Sequence, residues 1–220
     1  MSRSGLFIDL DGTLADSHTV LFSVYEKFLI NFGKSGSSIE FHKLDGPPLS
    51  YIIPYLAKKH QINVQIDILT DIYLKMIENA YNNVSPSKGA INVLEAAKIN
   101  NMSIGLVTSN RSHIANSWLK KVGLKDYFDV IISQEDVISG KPSPEPYILA
   151  LNKCKCKSNE SLALEDSFLG VSSATKAQIP TMIIGNTKID ITSNILARVT
   201  DLTKVVQFIE KKLFLNIQQV

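Results

Sequence analysis

A chain of 220 residues, 45% hydrophobic and 20% charged, has the size and composition of one globular domain or of a domain carrying a small insert. Its net charge of +2 comes with lysines scattered in pairs such as Lys58-Lys59 and Lys120-Lys121, which describes a solvated surface and not a nucleic-acid patch. No apolar run approaches the roughly 20 residues of a membrane span, no charged N-terminal region leads into a long apolar stretch, and Cys154 and Cys156 are too few for a disulfide framework; the expectation is a cytoplasmic protein with two free thiols, no membrane and no nucleic acid among its partners, and a monomeric or weakly dimeric state.

From the N-terminus, GLFIDL reads as a short buried strand. Asp16 or Ser17 can cap a helix through VLFSVYEKFLINF, whose apolar residues recur at helical spacing. GKSGSS, residues 33–38, breaks it, and 49–59 and 66–81 read again as helices. After Ser85-Pro86 the pattern changes. AINVLEAAKI predicts a helix, MSIGLVTSN a buried strand ending in small polar residues, and HIANSWLKKVGL a helix closed by Gly123. FDVIIS, SLALEDS and TMIIG read as strands, EPYILALNK, FLGVSSATKA and DLTKVVQFIEKKL as helices. Such alternation predicts an α/β fold, a doubly wound parallel sheet covered on both faces. Right-handed crossovers then bring the carboxyl ends of all strands to one edge, where ligands bind in open α/β sheets.

That edge collects the polar residues. Asp9 and Asp11 end the first strand, Thr108, Ser109 and Asn110 another, Glu165 and Asp166 a third, and Lys141 stands in the loop GKPSPEP after a fourth. Carboxylates so close repel one another, so a fold keeps them where a cation sits between them or one holds a proton. Oxygen ligands suit Mg²⁺, which would relieve the repulsion among Asp9, Asp11 and Asp166 and attract a phosphate. The Thr108 hydroxyl can donate to a phosphoryl oxygen, Lys141 can offset anionic charge, and N–H groups of the Asp11-Gly12-Thr13 turn can cradle the remaining oxygens, with Gly12 supplying an unusual backbone angle. A carboxylate can attack phosphorus. A second carboxyl can protonate the leaving oxygen and then deprotonate water.

At these residues the chain resembles the haloacid dehalogenase-like hydrolase superfamily. The first motif of that superfamily, DxDGT, stands as Asp9-Leu10-Asp11-Gly12-Thr13. The second, a Ser or Thr after a strand, is Thr108 in LVTSN. The third is Lys141 in GKPSPEPY, and the fourth is the acidic pair Glu165-Asp166 in LALEDSFLG. The resemblance covers nearly the whole chain. It implies a Mg²⁺-dependent phosphatase of the phosphoglycolate phosphatase or β-phosphoglucomutase-like subgroup, acting on a small phosphorylated metabolite. Asp9 would be nucleophile and Asp11 acid/base, Thr108 and Lys141 would complete the catalytic set, and Gly12, Thr13, Ser109 and Asn110 would meet the substrate. The metal would be held by the Asp9 carboxylate, the Asp11 carbonyl and Asp166, with Glu165 helping directly or through water. Residues 16–84 resemble the family's small helical cap, inserted into a core of 1–15 and 85–220. KLDGPPLS (43–50), with Gly46 and Pro47 at its centre, resembles the cap's substrate-reading segment.

Two alternatives share the layout. A mutase of the β-phosphoglucomutase type carries a cap histidine twelve residues after the nucleophile, where this chain has Leu21. A non-catalytic binding module would lack the nucleophile or the acid, and both are present. His18 reads as a solvated helix-start residue and Arg111 as a surface arginine. The family's small Ala-Gly pair after the fourth motif is here Ala177-Gln178, a change expected to alter a turn.

Overall fold

The computed structural model describes residues 4–44, 46–187, 189 and 194–211. In chain order the elements are β1 (Gly5–Ile8), β2 (Ala15–Asp16), α1 (His18–Ile30), α2 (Ser38–Lys43), α3 (Leu49–Lys59), α4 (Ile66–Ala80), β3 (Ser85–Pro86), α5 (Ala90–Ile99), β4 (Ser103–Val107), α6 (Ser112–Lys121), β5 (Val130–Ile132), α7 (Glu145–Cys154), β6 (Leu162–Glu165), α8 (Phe168–Lys176), β7 (Thr181–Ile184), β8 (Ile195–Val199) and α9 (Val206–Glu210). The chain divides into two compact units, one holding residues up to Asp16 and from Ser85 onward, the other Ser17–Val84.

The larger unit is built on a six-stranded sheet in the order β5-β4-β1-β6-β7-β8, every neighbouring pair parallel. This is the doubly wound α/β arrangement expected from the sequence. β1 lies inside the sheet and is covered on both faces, which is why its four residues are all buried and read as an unbroken apolar run. Phe7, Val107 and Ile132 on one face pack with Tyr147, Ala150 and Leu151 of α7 and with Ala174 of α8. α5 packs on β4, and right-handed crossovers put it on the opposite face from α7 and α8. The chain runs from β1 out to β5 and then returns through α7 to β6 on the far side of β1. Strand order therefore reverses at β1, and the crevice there is where such sheets take ligands.

In the smaller unit, α4 buries Leu69, Tyr73, Leu74 and Ile77 at helical spacing and packs on α1 and α3. The Phe28 and Tyr73 rings meet edge to face at 4.9 Å.

The structure differs locally from the sequence reading. Asp16 is not a helix cap. It lies in β2, a two-residue strand paired antiparallel with β3 (Asp16 opposite Ser85), and stays with the larger unit. Ser17 occupies the N-cap position of α1 and makes no capping side-chain bond. α2 and β8 were not anticipated. The C-terminal helix, expected over 201–213, is a 3₁₀ turn at Leu202–Lys204 followed by α9, and 212–213 lie outside the described residues. No helix of the described residues is long and apolar enough to cross a membrane.

Candidate active site

Backbone pairing places the site residues. The Asp9 N–H donates to the Leu164 carbonyl at 3.0 Å and the Thr108 N–H to the Ile132 carbonyl at 2.9 Å, so the β1 and β4 ladders continue one residue into the loops. After Asp9 the chain folds into a tight turn. The Leu14 N–H donates to Asp9 O, the Ala15 N–H to Leu10 O, the Gly12 N–H to Ala15 O and the Thr13 N–H to Leu10 O. Gly12 supplies the φ of +78° that this turn needs. The Gly12 and Thr13 N–H groups, expected to face a phosphate, here bond within the turn itself. Thr13 contributes in another way: its buried hydroxyl donates to Asp166 Oδ1 at 3.3 Å.

Lys141 reaches the same place from the loop before α7. That loop is pinned on two sides. The Glu145 carboxylate accepts the Ile138 and Ser139 N–H groups, while Ser173 Oγ and Lys176 Nζ of α8 donate to the Ser143 and Pro142 carbonyls. Lys141 is 6% exposed. Its ammonium donates to Asp9 Oδ1 at 2.6 Å and to the Val107 carbonyl at 2.9 Å, and pairs with Glu165 Oε1 at 2.5 Å. An ammonium has three N–H groups, and three acceptors meet them here.

Asp9, Glu165 and Asp166 are all buried, and one carboxylate oxygen from each lies within 4.8 Å of the others. Burial holds the Asp9 carboxyl well above the usual carboxylate range; the Lys141 charge opposes this, and Glu165 and Asp166 add to it. Burial raises Glu165 in the same way, again against Lys141 and with Asp166. Burial alone would lower Lys141, but the Asp9 and Glu165 charges outweigh it and keep the ammonium protonated. Three carboxylates against one ammonium leave a formal charge of −2, more than Lys141 offsets.

A divalent cation fits that surplus. The donor set is all oxygen, and Glu165 Oε2 is fully buried with no hydrogen-bond partner. Left so, a buried charged acceptor costs at least about 1–3 kcal/mol. Its flank is open only because residue 170 is glycine, since a Cβ there would stand 1.9 Å from Oε2.

The second loop of the site follows β4. The Asn110 N–H donates to Thr108 Oγ1 at 2.9 Å, leaving the Thr108 hydroxyl proton for a ligand. Asn110 Nδ2 donates to Asp11 Oδ2 at 3.2 Å, so Asn110, expected to meet substrate, orients the second aspartate. Ser109 is half-buried beside them. Gly46 belongs to the smaller unit, between α2 and α3, with a φ of +93°. Two residues escaped the sequence reading. Tyr147 donates to Glu165 Oε1 at 2.5 Å, and Gly170 makes room for that carboxylate. Both lie inside the third and fourth motif segments, but no spacing rule links 147 to 165.

Comparison with known proteins agrees with this geometry. The family model described as haloacid dehalogenase-like hydrolase matches residues 6–184. A pyrophosphatase, PpaX, of Oceanobacillus iheyensis is 27% identical over 84% of this chain and 84% of its own length. A phosphoglycolate phosphatase of Yersinia pestis is 29% identical over 80% and 78%. Among solved structures, a β-phosphoglucomutase of Clostridium difficile superposes with a TM-score of 0.82 over 98% of this chain and all of that one, at 17% identity, a likeness of fold. With the matched segment spanning most of the chain and the acids, threonine and lysine of its motifs gathered at one sheet edge, the protein belongs to the haloacid dehalogenase-like hydrolases and is an enzyme of that family.

Proposed function

We propose that the enzyme is a Mg²⁺-dependent phosphatase that hydrolyses a small phosphorylated metabolite through an aspartyl phosphate on Asp9. The observation that carries this reading is the buried cluster in which Lys141 grips Asp9 at 2.6 Å while Asp9, Glu165 and Asp166 share surplus negative charge. The relatives that act on phosphoglycolate and pyrophosphate support the same chemistry.

In this reading the Asp9 carboxylate attacks phosphorus as the bond from phosphorus to the ester oxygen breaks, and Asp11 gives its proton to that oxygen. Asp11 then takes a proton from water, whose oxygen attacks phosphorus while the Asp9–phosphorus bond breaks and phosphate leaves. Asn110 aims Asp11 for both transfers. The Thr108 hydroxyl donates to a phosphoryl oxygen, and Ser109 lies close enough to assist. Lys141 orients Asp9 and favours its ionised form against the effect of burial, and its charge offsets that of the incoming phosphate. Asp9, the Asp11 carbonyl, Asp166 and Glu165 would hold Mg²⁺, which when bound neutralises charge on the phosphoryl oxygens. Gly12 and Thr13 shape the turn beneath the phosphate. In this reading the unit Ser17–Val84 is the counterpart of the family's small helical cap, with Gly46 in its substrate-reading segment.

Hydrolysis is favoured over transfer by Leu21, which can supply neither a proton nor a hydrogen bond where a mutase has histidine. The test incubates the protein with glucose 1-phosphate, glucose 6-phosphate, glycolate 2-phosphate and pyrophosphate in Mg²⁺, and follows both phosphate release and sugar-phosphate isomers. Phosphate release without isomer formation is expected. Isomer formation outpacing release would overturn the phosphatase reading.

A further inference from the structure

Glu165 is held asymmetrically. Its Oε1 receives the Lys141 ammonium and the Tyr147 hydroxyl, each at 2.5 Å, while its Oε2 receives nothing although the residue is fully buried. Lys141 alone does not define the carboxylate's orientation, because the same ammonium also serves Asp9 and Val107. Tyr147 can. Its ring is wholly buried in the first turn of α7, packed in the core with Phe7, Val107 and Ile132, and the Lys141 nitrogen lies 5.7 Å from the ring centre. A hydroxyl on so fixed a ring is a rigid donor. With Oε1 anchored from two directions, the direction of Oε2 is set, and Gly170 leaves it room.

We propose that Tyr147 is a positioning residue for the divalent-cation site: its hydroxyl anchors Glu165 through Oε1 so that Oε2 is presented to the cation or to a water of its shell. This rests on the reading of the acidic cluster as a Mg²⁺ site. Outer partners of metal ligands act in this way, and their loss typically costs ten- to a hundredfold in metal affinity. Tyr147 touches neither substrate nor phosphorus in this account; it works only through Glu165.

The test is Tyr147→Phe, which removes one oxygen and keeps the packed ring. Mn²⁺ binding to the substrate-free full chain, measured by calorimetry, should weaken about tenfold or more. The Mg²⁺ concentration for half-maximal turnover should rise by a similar factor, with a much smaller fall in turnover at saturating Mg²⁺. In a Glu165→Ala background the same substitution should add nothing. If Tyr147→Phe does not fold, Glu165→Asp decides, since it keeps the charge but withdraws it from the tyrosine; it too should bind Mn²⁺ about tenfold more weakly. Unchanged Mn²⁺ affinity in either variant, or an equal additional loss in the Glu165→Ala background, overturns the proposal and leaves the phosphatase reading standing. A wild-type protein that binds no Mn²⁺ overturns it as well, and phosphate release from an aryl phosphate, measured in parallel, then judges the phosphatase reading separately.

Discussion

Asp9 and Asp11 are separated by one residue yet held by different means, Asp9 by Lys141 and Asp11 by Asn110. Removing each should therefore fail differently. Asp9→Asn is nearly isosteric and leaves the backbone bond to Leu164 intact, so it should fold and lose turnover almost completely; appreciable Mg²⁺-dependent turnover in the folded variant would sink Asp9 as nucleophile. Asp11→Asn should slow hydrolysis of alkyl phosphates by about 10²–10⁴, the range of general acid–base catalysis. Because Asp11 is expected to meet the metal through its carbonyl, Mn²⁺ affinity should change little, and calorimetry showing its loss would mean that the roles of Asp11 and Asp166 are exchanged. At this scale the acidic residues were legible because they follow apolar strands, whereas Lys141 stands in a loop and was picked out by its motif. The donors around them were not. Tyr147 meets Glu165, and Asn110 meets Asp11, only after crossovers bring remote segments together, and whether the Gly12 amide faces a ligand or its own turn depends on backbone angles that composition does not state.

The long, periodic elements were readable, and the short ones were not. β2 and β3 have two residues each, too few for any pattern, and exist because the two chain segments flanking the insert pair with each other. β8 is an edge strand with only Ile195 fully buried, so its alternation is weak. The Ala177-Gln178 departure has a defined outcome: Gln178 takes a left-handed φ of +60° just after α8, where glycine would be unstrained. Gln178→Gly should raise stability by about 0.5–1 kcal/mol, the relief of left-handed strain less the extra freedom of the unfolded chain; thermal unfolding checks this, and a lowered midpoint would contradict it. The smaller unit holds a polar network of its own. Glu40 is 4% exposed and accepts from Tyr25 at 2.5 Å and Lys59 at 3.2 Å, and meets His60 at 3.0 Å. Burial would raise Glu40, but the bonds from Tyr25, His60 and Lys59 outweigh it and hold the carboxyl below its ordinary value. Burial and the Glu40 bond push Tyr25 up. The Glu40 contribution is thus complete above about pH 4 and lost as pH falls through the lowered value; that of Tyr25 is complete below about pH 10 and lost as pH rises through the raised one. Urea unfolding followed against pH should show both declines, and Tyr25→Phe should flatten the alkaline one. An unchanged alkaline decline would refute the role given to Tyr25.

Across the whole molecule, the alternation of strands and helices after residue 85 was enough to state a parallel, doubly wound sheet, because parallel strands need long crossover connections and these are usually helices. The order of the strands was not contained in that alternation. It follows from α7 crossing back over β4 and β1 to seat β6 beside β1, and this crossing brings Glu165 and Asp166 to Asp9, and Lys141 with them. In the proposed mechanism this convergence makes Asp9 a nucleophile. The most direct measurement mixes the Asp11→Asn protein with Mg²⁺ and an aryl phosphate, quenches in acid, and maps the modified peptide by mass spectrometry. An aryl leaving group needs little protonation, so the first step should survive the substitution while the water-activated second step stalls. One phosphoryl group should accumulate on Asp9, and none when Asp9→Asn is added. Turnover of the aryl phosphate with Asp9 unmodified at every time point would contradict it.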